Sequence, residues 1–163
     1  MDQSLKTCLW RQFGASIEML ENAIKACPNE LWDTETKFWY NAYHCLFYLD
    51  YYLSDDPDNF TPPDPFDLSE FDPSGILPPS VYSQRDLLEY LSYCKQKCHD
   101  KIASLTNEAA NKRFINAYRN YSILEILIYN MRHVQHHAAQ LNLLLRQGMN
   151  SAPAWVSQTG IEL

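Results

Sequence analysis

Leu5, Leu9, Phe13, Ile17, Leu20, Ile24 and Cys27 recur at spacings of three and four, and Pro28 forbids continuation, which predicts a first helix over residues 3–27. From Lys37 to Leu53 the chain reads KFWYNAYHCLFYLDYYL, apolar or aromatic on nearly every face. A second helix there should be enclosed by other protein. Ser83 and Asp86 form a capping box with Asp in place of Glu, and Tyr82 and Leu87 are placed as its hydrophobic staple. A third helix therefore starts at that point, with Leu87, Leu91, Cys94, Cys98, Ile102 and Leu105 as its core stripe. Ser122 and Glu125 make a regular capping box, and Gly148 stands where a C-terminal stop belongs, so a fourth helix is expected over about residues 123–147.

Between the second and third helices, residues 54–82 hold seven of the nine prolines, seven acidic residues and no Lys or Arg, which rules out regular helix. Phe60, Phe66, Leu68, Phe71, Ile76 and Leu77 offer apolar anchors along it, so an ordered overhand loop is expected. Such a crossover lets the second and third helices run parallel. Residues 106–121 read as a short helical or irregular link, and strand-like alternation is hard to find anywhere. The expectation is all-α: one domain over residues 1–163, a four-helix bundle with a long crossover between helices two and three. Its 46% hydrophobic content suffices for a sizeable core.

Thirteen Lys and Arg against 20 Asp and Glu leave a net charge of −7, which disfavours phosphate backbones and anionic lipid, so no nucleic-acid role is expected. No apolar run approaches the ~20 residues that cross a bilayer, and Met1-Asp2-Gln3-Ser4 lacks the features of a signal peptide. A cytoplasmic protein without a membrane partner is the expectation. The five cysteines are odd in number, show no CxxC spacing and lie mostly in apolar stripes, as reduced core thiols do. A metal site at Cys94 and Cys98 is the alternative, less favoured than packing.

The histidines change the picture. Three of the five crowd one turn of the fourth helix, in RHVQHHAAQ. His133 and His137 stand at i and i+4, on one face and about 5–6 Å apart, so both imidazoles can reach one ion. Their stripe also carries Ile126, Asn130, Gln140 and Leu144, flanking the apolar stripe of Leu127, Met131, Val134, Ala138, Leu141 and Leu145. Two imidazoles buried together need partners for their nitrogens, and charging both is costly; a metal ion removes the difficulty. His44, alone in the aromatic second helix among Tyr40, Asn41, Phe47, Tyr48 and Tyr51, is the candidate third ligand. Three imidazoles leave an open position, as catalytic zinc sites do. Asn41, Tyr48, Asn130 and Gln140 are candidate partners behind the ligands. His136 could take the place of His137 at i, i+3, but it shares a face with Tyr129, Arg132 and Leu143, and His99 lies among charges in KQKCHDK, as an exposed residue would.

The aromatic second helix with one histidine (FWYNAYHCLFYL), the acidic Pro-rich crossover and a last helix reading NMRHVQHHAAQLNLLLR together resemble the DinB-like (DinB/YfiT-like) family of metal-binding helical bundles, over nearly the entire chain. The resemblance implies His44, His133 and His137 as ligands of one divalent ion, with zinc or nickel expected, and leaves His136 out. It departs only in having Ala139 before Gln140 where relatives often have Gly. It also implies a four-helix bundle, frequent homodimers, and thiol-dependent transferases or isomerases that use low-molecular-weight thiols.

Two functions follow. In a metal-dependent enzyme of thiol transferase or hydrolase type, acting on a small-molecule substrate, the ion would lower the pKa of a water or a thiol. Arg132 is then the basic residue expected beside the site for a charged thiol, and a general base for hydrolysis would have to come from the acidic loop. In the alternative, the metal supports a non-catalytic homodimer, with which the 13% aromatic content is compatible.

Overall fold

A computed structural model describes residues 1–163 and is mostly helical. Helix α1 (Gln3–Ala26) is capped by the Asp2 carboxylate, which accepts from the Ser4 amide. At its other end Gln84 donates to the carbonyls of Ile24 and Cys27, satisfying two of the acceptors that a helix terminus leaves open. Pro28 ends α1 as expected, and a single turn, α2 (Asn29–Trp32), follows it. Helix α3 (Phe38–Tyr52) is the enclosed one, with Phe38, Trp39, Ala42, Tyr43, Cys45, Leu46, Phe47 and Leu49 all buried.

Helix α4 (Gln84–Ala103) begins at the Ser83/Asp86 capping box, with both reciprocal hydrogen bonds formed. Its stripe of Leu87, Leu91, Cys94, Cys98 and Ile102 is buried. The two cysteines are therefore core thiols, and burial pushes both well above the ordinary thiol range. A short α5 (Asn107–Asn111) leads into two strands, β1 (Arg113–Ile115) and β2 (Asn120–Ser122), paired antiparallel with Phe114 opposite Tyr121. This hairpin corrects the expectation that the link holds only helix or irregular chain; three-residue strands are too short for alternation to show. Helix α6 (Ile123–Met149) starts at the Ser122 cap, whose hydroxyl accepts from the Glu125 amide.

The four long helices pack pairwise, α1 against α4 and α6, and α3 against α4 and α6. They enclose one continuous cluster of 39 buried residues. Residues after α6 return along α1, where the Trp10 indole donates to the Ile161 carbonyl and the Thr159 amide to the Arg11 carbonyl. No helix is long and apolar enough to cross a membrane.

Two further expectations need correction. Gly148 does not stop the last helix: it lies inside α6, and a Cβ there would stand 2.5 Å from Leu31 Cδ1, so glycine serves close approach to α2. Asn150 supplies the left-handed cap instead, at φ 56°. Of the six anchors expected along the crossover, Phe60 and Phe66 are buried and Phe71, though partly exposed, sets its ring 4.9 Å from those of Phe47 and Tyr51, whereas Leu68, Ile76 and Leu77 are exposed. Phe66 stacks on Tyr90 and Tyr43 with ring centroids at 4.4 and 5.8 Å, and Phe60 packs on Tyr51 and Phe47 at 5.3 and 5.4 Å. These three rings, with the Tyr43 hydroxyl donating to the Asp67 carbonyl, fix the path of the loop and so place the short 3-10 turn Ser69–Phe71 over α3.

Candidate metal centre

His44 projects from α3, and His133 and His137 from adjacent turns of α6. One ring nitrogen from each lies within 4.8 Å of the others. The ring centroids of His133 and His137 are 4.5 Å apart, and His44 sits 4.9 Å from His137 and 5.7 Å from His133. The structure thus brings together the three histidines that the sequence singled out. The other two stand outside that cluster. His136 is exposed on the outer face, while His99 is half-buried rather than exposed, edge-on to Trp10 at 4.9 Å and hydrogen-bonded to the Glu162 carbonyl.

The electrostatics suit a cation. Burial, together with the neighbouring imidazoles, pulls His133 down to about 3 and His137 down to about 4. Both are therefore neutral at physiological pH, with lone pairs available to a metal. Six buried side-chain polar atoms lack a hydrogen-bond partner, and three of them are here: His133 Nδ1, His137 Nδ1 and Glu70 Oε1. A buried polar atom without a partner costs about 1–3 kcal/mol, so the protein's own contacts leave the polar groups around these histidines incompletely satisfied.

Glu70 is the residue that sequence reasoning left unplaced. It comes from the crossover, and its Oε2 lies 2.6 Å from His44 Nδ1, with the carboxylate side chain only 3% exposed. A carboxylate on Nδ1 fixes the tautomer and the ring angle of His44 and leaves Nε2 as its free ligand atom. Tyr48 steadies the same turn, its hydroxyl donating to the Glu70 carbonyl at 3.2 Å. Tyr40 approaches the carboxylate, and burial plus that negative charge push its phenol up to about 12.

Of the expected supporting residues, Tyr48 touches the site, with its ring 4.9 Å from His44. Gln140 approaches His137. Asn41 turns away from the site; its amide donates to the Thr36 and Lys37 carbonyls just before α3. Asn130 donates to the Leu49 carbonyl at 2.9 Å and so ties α6 to α3 instead of touching a ligand.

The imidazoles open into a cavity of about 520 Å³. Its walls are Tyr48, Tyr51, Tyr52, Phe71 and Tyr129, and its roof is the β1–β2 turn, from Asn116 to Arg119. No carboxylate lines it. Arg132, the basic residue expected at the site, is exposed and absent from this wall; the basic residue that lines it is Arg119. Nothing in the sequence marks Arg119, because its position depends on a hairpin too short to read.

Comparison with family models, with curated proteins and with solved structures found no match to this chain.

Proposed function

We propose that this chain is a metal-dependent enzyme of the DinB-like kind, a four-helix bundle in which His44, His133 and His137 hold one divalent ion, zinc or nickel. The observation that carries the reading is the convergence of three imidazole nitrogens within 4.8 Å at the inner end of an aromatic cavity. A purely structural site is closed on all sides, whereas this one faces a space large enough for a substrate.

When bound, the ion supplies Lewis acidity that favours the ionised form of a thiol or a water reaching its open position. The chain's own residues do the rest. His133 and His137 are kept neutral by burial, His44 is oriented by Glu70, and the rings of Tyr48, Tyr52 and Phe71 line the space in front of the imidazoles. No carboxylate lines the cavity to take a proton from water, and Glu70 is held against His44 Nδ1. That absence favours transfer to an external low-molecular-weight thiol over hydrolysis.

Elemental analysis of the purified protein should find about one zinc or nickel per chain, and turnover of an electrophile should require an added thiol and vanish in His44→Ala. A protein that takes up no metal, or an activity indifferent to His44→Ala, rejects the proposal.

Glu70 provides a finer test. Removing the carboxylate behind a ligating histidine typically weakens metal binding by about 10–100-fold. Glu70→Ala is expected to fall in that range for zinc, measured against a competing chelator. Glu70→Gln, which retains an acceptor without the charge, should lose less. Unchanged zinc affinity in both variants would mean that the His44–Glu70 contact merely anchors the loop.

A further inference from the structure

Among the six arginines only Arg119 is withdrawn from solvent, half-buried in the cavity wall, while Arg11, Arg85, Arg113, Arg132 and Arg146 are exposed. It makes no ion pair, although the chain carries 20 acidic residues, and no carboxylate lines the cavity beside it. Yet its guanidinium is firmly placed. One Nη donates to the Tyr129 hydroxyl at 2.6 Å, and the group lies over the Tyr129 ring at 4.7 Å and the Tyr52 ring at 5.2 Å. Its backbone is fixed as well: the Asn116 side chain accepts from the Arg119 amide, and the Asn116 amide donates to the Arg119 carbonyl.

A guanidinium has five donors, and the Tyr129 contact uses one. A half-buried cation without a counter-ion, held rigid by stacking, is a preorganised anion receptor. Around it the walls are aromatic and the chain supplies no second cation, which suits a monoanion with a flat apolar body better than a phosphate, whose charge calls for several basic groups. The volume of about 520 Å³ is in the range of small-molecule sites.

We infer that the cavity binds a small organic carboxylate with a flat, apolar body, its carboxylate on Arg119, its body against the cavity faces of Tyr48, Tyr52 and Phe71, and its far end at the three imidazoles. This names the substrate class of the proposed metal centre and rests on that reading for which end reacts. The anchoring end stands on Arg119 alone.

The test uses metal-free protein, so that a carboxylate cannot bind an ion instead. Benzoate, benzamide and acetate are titrated by calorimetry into the full chain and into Arg119→Gln. A charge-assisted fork on a carboxylate predicts that benzoate binds at least about tenfold more tightly than benzamide, and that Arg119→Gln erases the difference. Acetate, lacking a ring, should bind more weakly than benzoate. Equal binding of benzoate and benzamide, or a preference that survives Arg119→Gln, overturns the inference. Should Arg119→Gln fail to fold, the Arg119 Nε–H resonance of the unmodified protein decides: it shifts with benzoate and not with benzamide, or the inference fails. Zinc titration of the same samples reports the imidazole site separately, so either can fail while the other stands.

Discussion

Replacing His133 by Leu is expected to abolish zinc uptake and, at the same time, to raise the melting temperature of the metal-free protein. The two effects have opposite signs because they come from different states. In the metal-free chain His133 is a neutral, largely buried imidazole whose Nδ1 has no partner, packed against the rings of Tyr48 and Tyr52. Leu fills similar space with no polar atom to desolvate, which should return about 1 kcal/mol, or roughly 2–4 °C in a chain of this size. With zinc at a thousandfold excess over its Kd, the unmodified protein instead gains about 4 kcal/mol, a rise on the order of 10 °C that His133→Leu cannot show. Differential scanning calorimetry with and without zinc checks both. An ordinary core histidine predicts the reverse pattern, a metal-free protein destabilised by the substitution and no response to zinc in either form.

That contrast follows from a site whose pieces differed in how far they could be read in advance. The His133/His137 pair was legible because helical spacing converts sequence distance directly into a shared face, and α6 keeps that spacing through Met149. His44 was legible as a residue of the enclosed helix, though its meeting with the pair depends on α3 packing against α6. Glu70 was not. It stands 26 residues from His44 in a Pro-rich segment without periodicity, where contacts with α3, the packing of Phe60, Phe66 and Phe71 and the Tyr48 hydroxyl on the Glu70 carbonyl among them, decide the path. Arg119 was hidden for a related reason: the roof over the cavity is a turn between two three-residue strands, held by Asn116 and by Phe114 against Tyr51 and Tyr52. Gly148 is ambiguous in the sequence because a glycine near a helix end has two uses, and only the nearness of Leu31 shows which applies. Residues fixed by their own helix could be found from the sequence, whereas residues fixed by distant contacts could not.

The second large effect concerns how α3 is held in the position that presents His44. Asp50 on that helix is 1% exposed; it accepts from Lys97 Nζ at 2.5 Å and from the Tyr90 hydroxyl at 3.0 Å, both on α4. Lys97→Met removes the cation and leaves the carboxylate buried with only the tyrosine, a loss worth about 3–5 kcal/mol when a pair is fully enclosed. Lys97 keeps 27% of its side chain exposed, so water screens part of the interaction and the low end, about 3 kcal/mol, is expected. Urea denaturation should show that loss with an unchanged slope. Adding Asp50→Asn to Lys97→Met should restore part of it, since the uncompensated charge is then gone, whereas two independent contacts would make the double variant worse than either single one. A cost below about 0.5 kcal/mol for Lys97→Met would place it among ordinary surface ion pairs and mean that solvent reaches Asp50. The anchorage of α3 would then fall to its packing and to the Asn130 hydrogen bond on the Leu49 carbonyl.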